Sequence, residues 1–120
     1  MIEQLADFPD NVAAFRCTGQ LTKDDYIGVL IPAILEKLRT HEKVRVYYET
    51  AGDFSGFDPG AMWEDFKVGV EHLTRWEKVA VVTDVDWIGK AVRFFAFLMP
   101  VTTKLFSRAE ATRARAWISA

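Results

Sequence analysis

A turn rich in glycine and aspartate, residues 51–60, joins two segments of opposite character. Before it, residues 43–49 contain the run Val44-Arg-Val-Tyr-Tyr48, whose composition is typical of a β-strand. After it, Asp58-Pro-Gly60 opens a helix, with aspartate as the cap and proline in the first turn. This order predicts an α/β fold, in which ligands bind at the carboxyl ends of the strands.

The rest of the chain alternates between the same two element types. The other predicted strands are residues 2–6, 12–18, 79–82 and 104–106. Helices are predicted from Thr22 to Leu38, at residues 59–74, after Thr83 or Asp84, and after Ser107. The order β-β-α-β-α-β-α-β-α predicts one α/β domain over residues 1–120, with a mixed, mostly parallel sheet and flanking helices.

Local signals mark the helix ends and faces. Thr22 with Asp25, and Ser107 with Glu110, have the spacing of capping boxes. Pro32 removes the backbone bond to Gly28, which predicts a kink in the first helix. The apolar face of that helix is predicted at Ile27, Leu30, Ile31, Ile34, Leu35 and Leu38.

Composition and charge exclude several classes of protein. The longest apolar run, residues 94–101, is far shorter than the roughly 20 residues of a membrane-spanning helix. The single cysteine, Cys17, and the lack of a signal peptide favour a cytoplasmic protein. The net charge of −2 and the lack of a reading motif argue against nucleic-acid binding.

Charge is distributed unevenly along the chain. Residues 1–86 carry nine Lys/Arg against sixteen Asp/Glu, whereas residues 87–120 carry six against one. A basic end of this kind favours phosphate headgroups or an acidic partner, and a merely solvated face is the alternative.

Four motifs give the chain a resemblance to the SpoIIAA-like family of small bacterial proteins. They are Phe54-Ser-Gly-Phe-Asp58, Ala61-Met-Trp-Glu-Asp65, Trp76-Glu-Lys-Val-Ala-Val-Val-Thr-Asp84 and Phe97-Leu-Met-Pro100. The resemblance covers essentially the whole chain and implies a STAS-like fold, related to anti-sigma-factor antagonists and similar in shape to lipid-carrying CRAL-TRIO domains. It also implies binding of a small apolar ligand or association with membranes.

The chain departs from true antagonists at their phosphorylation switch. Their helix start resembles Asp-Ser-Ser-Gly, but the matching place here reads Asp58-Pro59-Gly60, and proline has no hydroxyl to phosphorylate. Ser55 is either a displaced acceptor or a residue that bonds backbone in the turn. A protein partner could still bind this loop, and the hypothetical contact residues are Asp53, Ser55, Asp58, Gly60 and Glu64.

No set of residues has the pattern of a catalytic site, and no cofactor is predicted. Asp53, Asp58, Glu64 and Asp65 carry oxygens of the kind that bind a hard cation, but a cap role for Asp58 is favoured, so no metal site is predicted. His41 and His72 lack a cysteine or second histidine at ligand spacing. Cys17 lies two residues after Phe15 in the same predicted strand, so both side chains face the same side of the sheet. Cys17 is therefore interpreted as a buried hydrophobic residue. Ser55 and His72 alone do not make a hydrolase.

The helix after Asp84 has apolar residues on two faces, although a helix against a sheet needs only one. The second face is either core or an exposed surface. In the second case, this end of the protein would line an apolar cavity or insert at the inner face of the membrane, with Lys104 and Arg108 nearby. The hypothetical ligand or membrane residues are Trp87, Phe94, Phe97, Leu98, Lys90 and Arg93.

Overall fold

The structure is a computed structural model that describes residues 1–57, 75–98 and 101–120, with the backbone alone for residue 57 and residues 95–98. The predicted helix at 59–74, with Asp58, Gly60, Glu64 and His72, lies outside the described residues. The strands are β1 (Ile2–Gln4), β2 (Val12–Cys17), β3 (Gln20–Leu21), β4 (Val44–Thr50), β5 (Gly56–Phe57), β6 (Trp76–Val82) and β7 (Thr102–Phe106).

Five strands form one sheet in the order β1-β2-β4-β6-β7. β1 is antiparallel to β2, and the other three neighbouring pairs are parallel. This confirms the mixed, mostly parallel sheet. The short strands β3 and β5 pair separately, Gln20 with Gly56 and Leu21 with Phe57, and were not predicted.

The helical elements are α1 (Lys23–Asp25), a π-helical turn (Tyr26–Leu30), α2 (Ile31–Thr40), α3 (Asp86–Leu98), a 3₁₀ turn (Arg108–Glu110) and α4 (Ala111–Ser119). Both predicted capping boxes are present. Where a kink was predicted, the helix widens into the π turn, and the Ile31 N–H bonds to the Tyr26 carbonyl. A wider turn relieves the clash that the Pro32 ring would make with the carbonyl four residues earlier.

Apolar clusters cover both faces of the sheet. On one face, strand residues such as Phe15 and Val46 pack with Leu30, Ile34 and Leu38 of the first helical segment. Cys17 is fully buried in that cluster, as predicted. On the other face, Tyr47, Val82 and Phe106 pack against Ala114 and Ile118 of α4.

Two residues of the predicted apolar face of the first helix are not buried. Ile27 is 47% exposed and Leu35 is 41% exposed, so the prediction is wrong for both. The π turn shifts Ile27 relative to the residues after Ile31. Leu35 lies within the regular helix α2, where helical spacing alone gave too wide a face.

Candidate binding surfaces

Helix α3 begins at the carboxyl end of β6. The Thr83 hydroxyl accepts a hydrogen bond from the Val85 N–H at 3.1 Å, and the Val85 carbonyl accepts the first helical bond, from Gly89. Asp84 instead accepts a bond from the Arg108 N–H at 3.0 Å. The helix starts at Asp86, so the prediction that Thr83 or Asp84 caps it is wrong: both side chains bond groups outside the helix.

One side of α3 packs against the sheet. Ile88 is 5% exposed, and a Cβ on Gly89 would lie 3.3 Å from Cδ2 of Leu105 in β7. Phe106 packs on the α4 side of the sheet, and neighbouring residues in a strand face opposite sides, so Leu105 faces the α2 side. Helices α2 and α3 therefore share one face of the sheet, with α2 over β2 and β4 and α3 beside β7.

The other side of α3 carries two aromatic and two basic side chains at the surface. Trp87 is 47% exposed and Phe94 is 63% exposed, and Lys90 and Arg93 are also exposed. Because these positions are three or four residues apart, they follow one face of the helix. We call these four residues the aromatic–basic face.

The structure thus brings together four of the six residues predicted for a ligand or membrane surface. Phe97 and Leu98 lie in the last turn of α3, and their side chains are outside the described part of the structure. Their contribution to the surface stays a prediction.

Lys104 does not lie beside this surface. Its ammonium nitrogen is 5.6 Å from the ring centroid of Phe106 and 5.8 Å from that of Trp117, on the α4 side of the sheet. The prediction that Lys104 supports the aromatic end is wrong, because strand alternation directs it to the face opposite α3.

The Gly–Asp loop lies at the carboxyl end of β4 and is held by backbone hydrogen bonds. The Ala51 N–H bonds to the Cys17 carbonyl, the Phe54 N–H to Ala51, and the Ser55 N–H to Gly19 at 2.9 Å. The chain then enters β5, so residues 56–57, which were predicted as loop, are a strand. Asp53 and Ser55 are both exposed on this tethered loop.

Arg108 is a neighbour of this loop that the sequence did not indicate. A Cβ on Gly52 would lie only 3.0 Å from Nη1 of Arg108, so the guanidinium lies directly against the glycine. Arg108 is 56 positions further along the chain, and only the parallel arrangement of β4, β6 and β7 brings the two together. The guanidinium of Arg108 therefore places an exposed positive charge beside the acidic loop.

A cluster of polar residues on the α4 side is already satisfied internally. The Tyr47 hydroxyl donates to Glu49 at 2.6 Å, and Arg16 donates to the other carboxylate oxygen at 2.9 Å. Burial raises the pKa of Tyr47, assisted by its bond to Glu49, to about 12. Burial would also raise the pKa of Glu49, but the bonds from Tyr47 and Arg16 outweigh it and lower that pKa. Each group has a partner, which fits a structural role.

His41, the remaining candidate for a catalytic or metal-ligating residue in the described part of the chain, is engaged by neighbouring side chains and backbone. His41 follows α2, where Nδ1 lies 3.1 Å from the Lys37 carbonyl oxygen and Nε2 lies 3.2 Å from Asp10. Within residues 1–57, 75–98 and 101–120, no group of three metal-ligating side chains comes together. No helix in that same part of the chain is long and apolar enough to cross a bilayer.

Comparison with known proteins supports the fold. A family model described as SpoIIAA-like matches residues 12–119. The chain also resembles the crystal structure of an uncharacterised DUF3478-family protein from Shewanella loihica PV-4 with a SpoIIAA-like fold. The TM-score is 0.75 and the identity 23%, over 98% of this chain and 92% of the other. No curated protein matches the sequence significantly.

Proposed function

The chain belongs to the SpoIIAA-like family, and we propose that it is a non-enzymatic STAS-like module that attaches to anionic membrane surfaces, or takes up a small apolar ligand, through α3. The observation that carries the proposal is the aromatic–basic face, on which Trp87 and Phe94 are exposed beside Lys90 and Arg93.

The chemistry of this face suits a lipid headgroup region. Aromatic rings bury apolar area at the boundary between headgroups and acyl chains, while basic side chains are attracted to anionic lipids. Each Lys or Arg near such a surface contributes about 1 kcal/mol. Anionic lipids are concentrated in the cytoplasmic leaflet, so the proposed site of attachment is the inner face of the membrane.

Ser55 and His41 are two candidates for hydrolase chemistry among the described residues, and they lie on separate elements. Ser55 lies on the loop after β4, whereas His41 follows α2 and is engaged with Lys37 and Asp10. A hydrolase needs a nucleophile, a base and an orienting group within reach of one another. These two residues do not supply that arrangement.

Flotation with lipid vesicles tests the proposal directly. The purified protein is mixed with phosphatidylcholine vesicles, with or without phosphatidylserine, at low and moderate salt. We expect flotation with the anionic vesicles that weakens as salt rises, because salt screens the contribution of the basic residues. Absence of flotation under every condition would contradict membrane attachment, and binding of a small apolar fluorophore would then test the ligand alternative.

A matched pair of variants locates the surface. Phe94→Asp should weaken vesicle binding by about tenfold or more, because burial of a phenylalanine side chain stabilises by about 1.5–3 kcal/mol. Leu35→Asp introduces the same charge at an exposed apolar position of α2 and should leave binding unchanged. Circular dichroism checks that both variants are folded. Equal loss in the two variants would rule out α3 as the site.

The second candidate is a regulatory protein-interaction module that uses the Gly–Asp loop. It is favoured by the backbone tether of the loop, by the exposure of Asp53 and Ser55, and by the contact between Gly52 and Arg108. The test is affinity capture of partners with the original protein and with an Asp53→Lys, Glu64→Lys variant. Recovery of the same partners by both proteins would count against this role.

A further inference from the structure

A second charged surface lies on the α4 side of the sheet, at its β7 edge. Two lysine side chains meet there beside one indole ring. The ammonium nitrogen of Lys78 is 5.1 Å from the ring centroid of Trp117, and that of Lys104 is 5.8 Å from it. Lys78 extends from β6 and Lys104 from the neighbouring strand β7, so the sheet itself holds the two positive charges near each other.

Neither of these ammonium groups forms an ion pair with residues 1–57, 75–98 and 101–120. The Glu110 carboxylate, close enough to Lys104 to feel its charge, bonds instead to Arg113 at 2.8 Å. Glu77, beside Lys78 in the chain, pairs with an arginine of β4. The nearby carboxylates are therefore engaged elsewhere, and the two positive charges favour an anionic ligand.

The backbone of β7 offers hydrogen-bonding groups at the same edge. β7 is the last strand of the sheet, and its Phe106 carbonyl accepts a bond at 2.9 Å from the N–H of Thr83, which follows β6. Because successive residues of a strand direct these groups to alternate sides, Thr103 and Leu105 direct their N–H and C=O groups away from β6. Nothing in the described part of the chain hydrogen-bonds to these outward groups. They form a short template for another strand.

Side-chain parity places the lysines on one face of such a strand. Thr102 and Lys104 are exposed on the α4 side, whereas Leu105 faces α3. Side chains that lie directly opposite each other on paired strands share one face of the sheet. In a strand added to β7, every second side chain would therefore lie beside Thr102 or Lys104, with Lys78 one strand further in. The intervening side chains would lie on the α3 face, away from both lysines.

The position of the lysines separates this surface from a simple protected edge. A lysine on an edge strand discourages unwanted pairing, and Lys104 alone would serve that purpose. Lys78, however, lies on the inner strand β6, where it protects no edge. Two-fold pairing of β7 with a second copy would also bring two Lys104 side chains onto the same face of the joined sheet. The charges oppose that pairing and favour an acidic strand.

We infer that the β7 edge binds an extended acidic segment of a partner protein, added to the sheet as a strand with Asp or Glu at alternate positions on the α4 face. The backbone groups supply affinity and the two lysines select the charge of the segment. The site is independent of the aromatic–basic face, because the lysines and α3 lie on opposite sides of the sheet.

Selection from a phage-displayed library of random peptides, on the purified protein at low salt, tests the inference. We expect enrichment of sequences that carry Asp or Glu at every second position. On addition of a selected peptide, exchange of the Thr103 and Leu105 amide protons should slow, which reports strand pairing at this edge. Failure to enrich acidic peptides, or enrichment of acidic peptides that leave both amides unchanged, would overturn the inference.

Changes of charge in the protein and the peptide test the geometry. Lys104→Glu should weaken binding of a selected peptide about tenfold or more, because a repulsive pair replaces an attractive one. A peptide with lysine in place of its acidic residues should bind this variant better than it binds the original protein. A peptide of the same composition with its acidic residues adjacent, rather than alternate, should bind the original protein about fivefold more weakly, since only half of them then face the lysines. Equal affinity for the two acidic peptides would mean that net charge acts without strand pairing, and would overturn the inference.

Lys90→Glu is the matched control, with the same change of charge on the aromatic–basic face. It should leave peptide binding unchanged and weaken vesicle flotation, whereas Lys104→Glu should do the reverse, so the two proposals are tested separately. Circular dichroism checks that both variants are folded. An equal loss of peptide binding in the two variants would overturn the inference. An oligomer of the purified protein that Lys104→Glu dissociates would identify the occupant as a second copy of this chain and would likewise overturn it.

Discussion

Helix α3 and the helical segment that ends in α2 lie on the same face of the sheet, and both expose apolar side chains. On the α2 side these are Ile27, 47% exposed, and Leu35, 41% exposed. On α3 they are Trp87, also 47% exposed, and Phe94, 63% exposed. Single exposed apolar residues are normal on protein surfaces, so exposure alone does not distinguish the two helices.

The charged neighbours of these residues make the difference. On α2, Glu36 and Arg39 form an ion pair at 2.7 Å, so the positive charge beside Leu35 is compensated. On α3, Lys90 and Arg93 form no ion pair with the described part of the chain, and both lie among aromatic residues. Positive charge that has no ion-pair partner within residues 1–57, 75–98 and 101–120, beside exposed rings, is what makes α3 the better candidate for an anionic lipid surface.

The largest effect that we expect separates the two sides of α3. Ile88→Ala should lower the free energy of unfolding by about 2–4 kcal/mol, because Ile88 is buried and its truncation leaves a cavity. Phe94→Ala should change it by less than about 0.5 kcal/mol, as at other exposed positions. Urea denaturation measures both. A comparable decrease in unfolding free energy for both variants would show that Phe94 is part of the core. The contrast between the exposed residues of α3 and those of α2 would then fail.

The sequence was sufficient for the fold because the strands of the main sheet and the helices carry local signals. The apolar run of β6 and the capping boxes of Thr22 and Ser107 depend on residues close together in the chain, and the structure contains all three. The strand pair Gln20–Leu21 and Gly56–Phe57 was missed, since two-residue strands have no periodicity to detect.

The candidate sites were predicted less completely because they depend on contacts between distant residues. Helical spacing placed Trp87 and Phe94 on one face, but it could not show whether another element covers that face. Strand parity could have shown that Lys104 faces away from α3, had the register of β7 been known. The contact between Arg108 and Gly52 has no local signal at all.

The second prediction tests the charge that distinguishes α3 from α2. Replacing Lys90 and Arg93 together by glutamine should weaken binding to anionic vesicles about 30-fold, since each basic residue near the surface contributes about 1 kcal/mol. The control variant replaces Lys23 and Arg39, which are exposed in the α1–α2 segment, and has the same net charge. Flotation at low salt measures both. An equal loss in the control would show that net charge acts, rather than the aromatic–basic face.

The third prediction separates folding from binding, using a residue on the other face of the sheet. Glu49→Gln should lower stability by about 1.5 kcal/mol at neutral pH, because a charged acceptor of two hydrogen bonds is lost. The pKa of Glu49 is lowered in the folded protein, so its contribution is fully present above the unfolded value of about 4.3. The contribution is then lost as the pH falls through the lower, folded value.

Denaturation of the Glu49→Gln variant between neutral and acidic pH measures this difference, with Glu36→Gln on the exposed surface of α2 as the control. At neutral pH, vesicle binding by Glu49→Gln should equal that of the original protein. Weaker binding by a folded Glu49→Gln protein would mean that the two faces of the sheet are coupled, contrary to the assignment of binding to α3 alone.

The smallest effect concerns how the two helical segments begin. The Asp25 carboxylate accepts hydrogen bonds from the Thr22 N–H at 2.9 Å and from the Thr22 hydroxyl at 3.1 Å, whereas α3 begins after Thr83 bonds the Val85 N–H. Burial would raise the pKa of Asp25, but the bonds from Thr22 lower it. Asp25→Asn should therefore cost about 0.5–1 kcal/mol at neutral pH.

This cost should shrink as the pH falls below the unfolded aspartate value of about 3.9 and through the lower folded value, because both proteins then carry an uncharged side chain. Urea denaturation at neutral and acidic pH gives the difference. A cost that stays constant would mean that the shape of the cap matters and its charge does not. In either case, vesicle binding should be unaffected, because this cap belongs to the helical segment that we do not assign to the membrane.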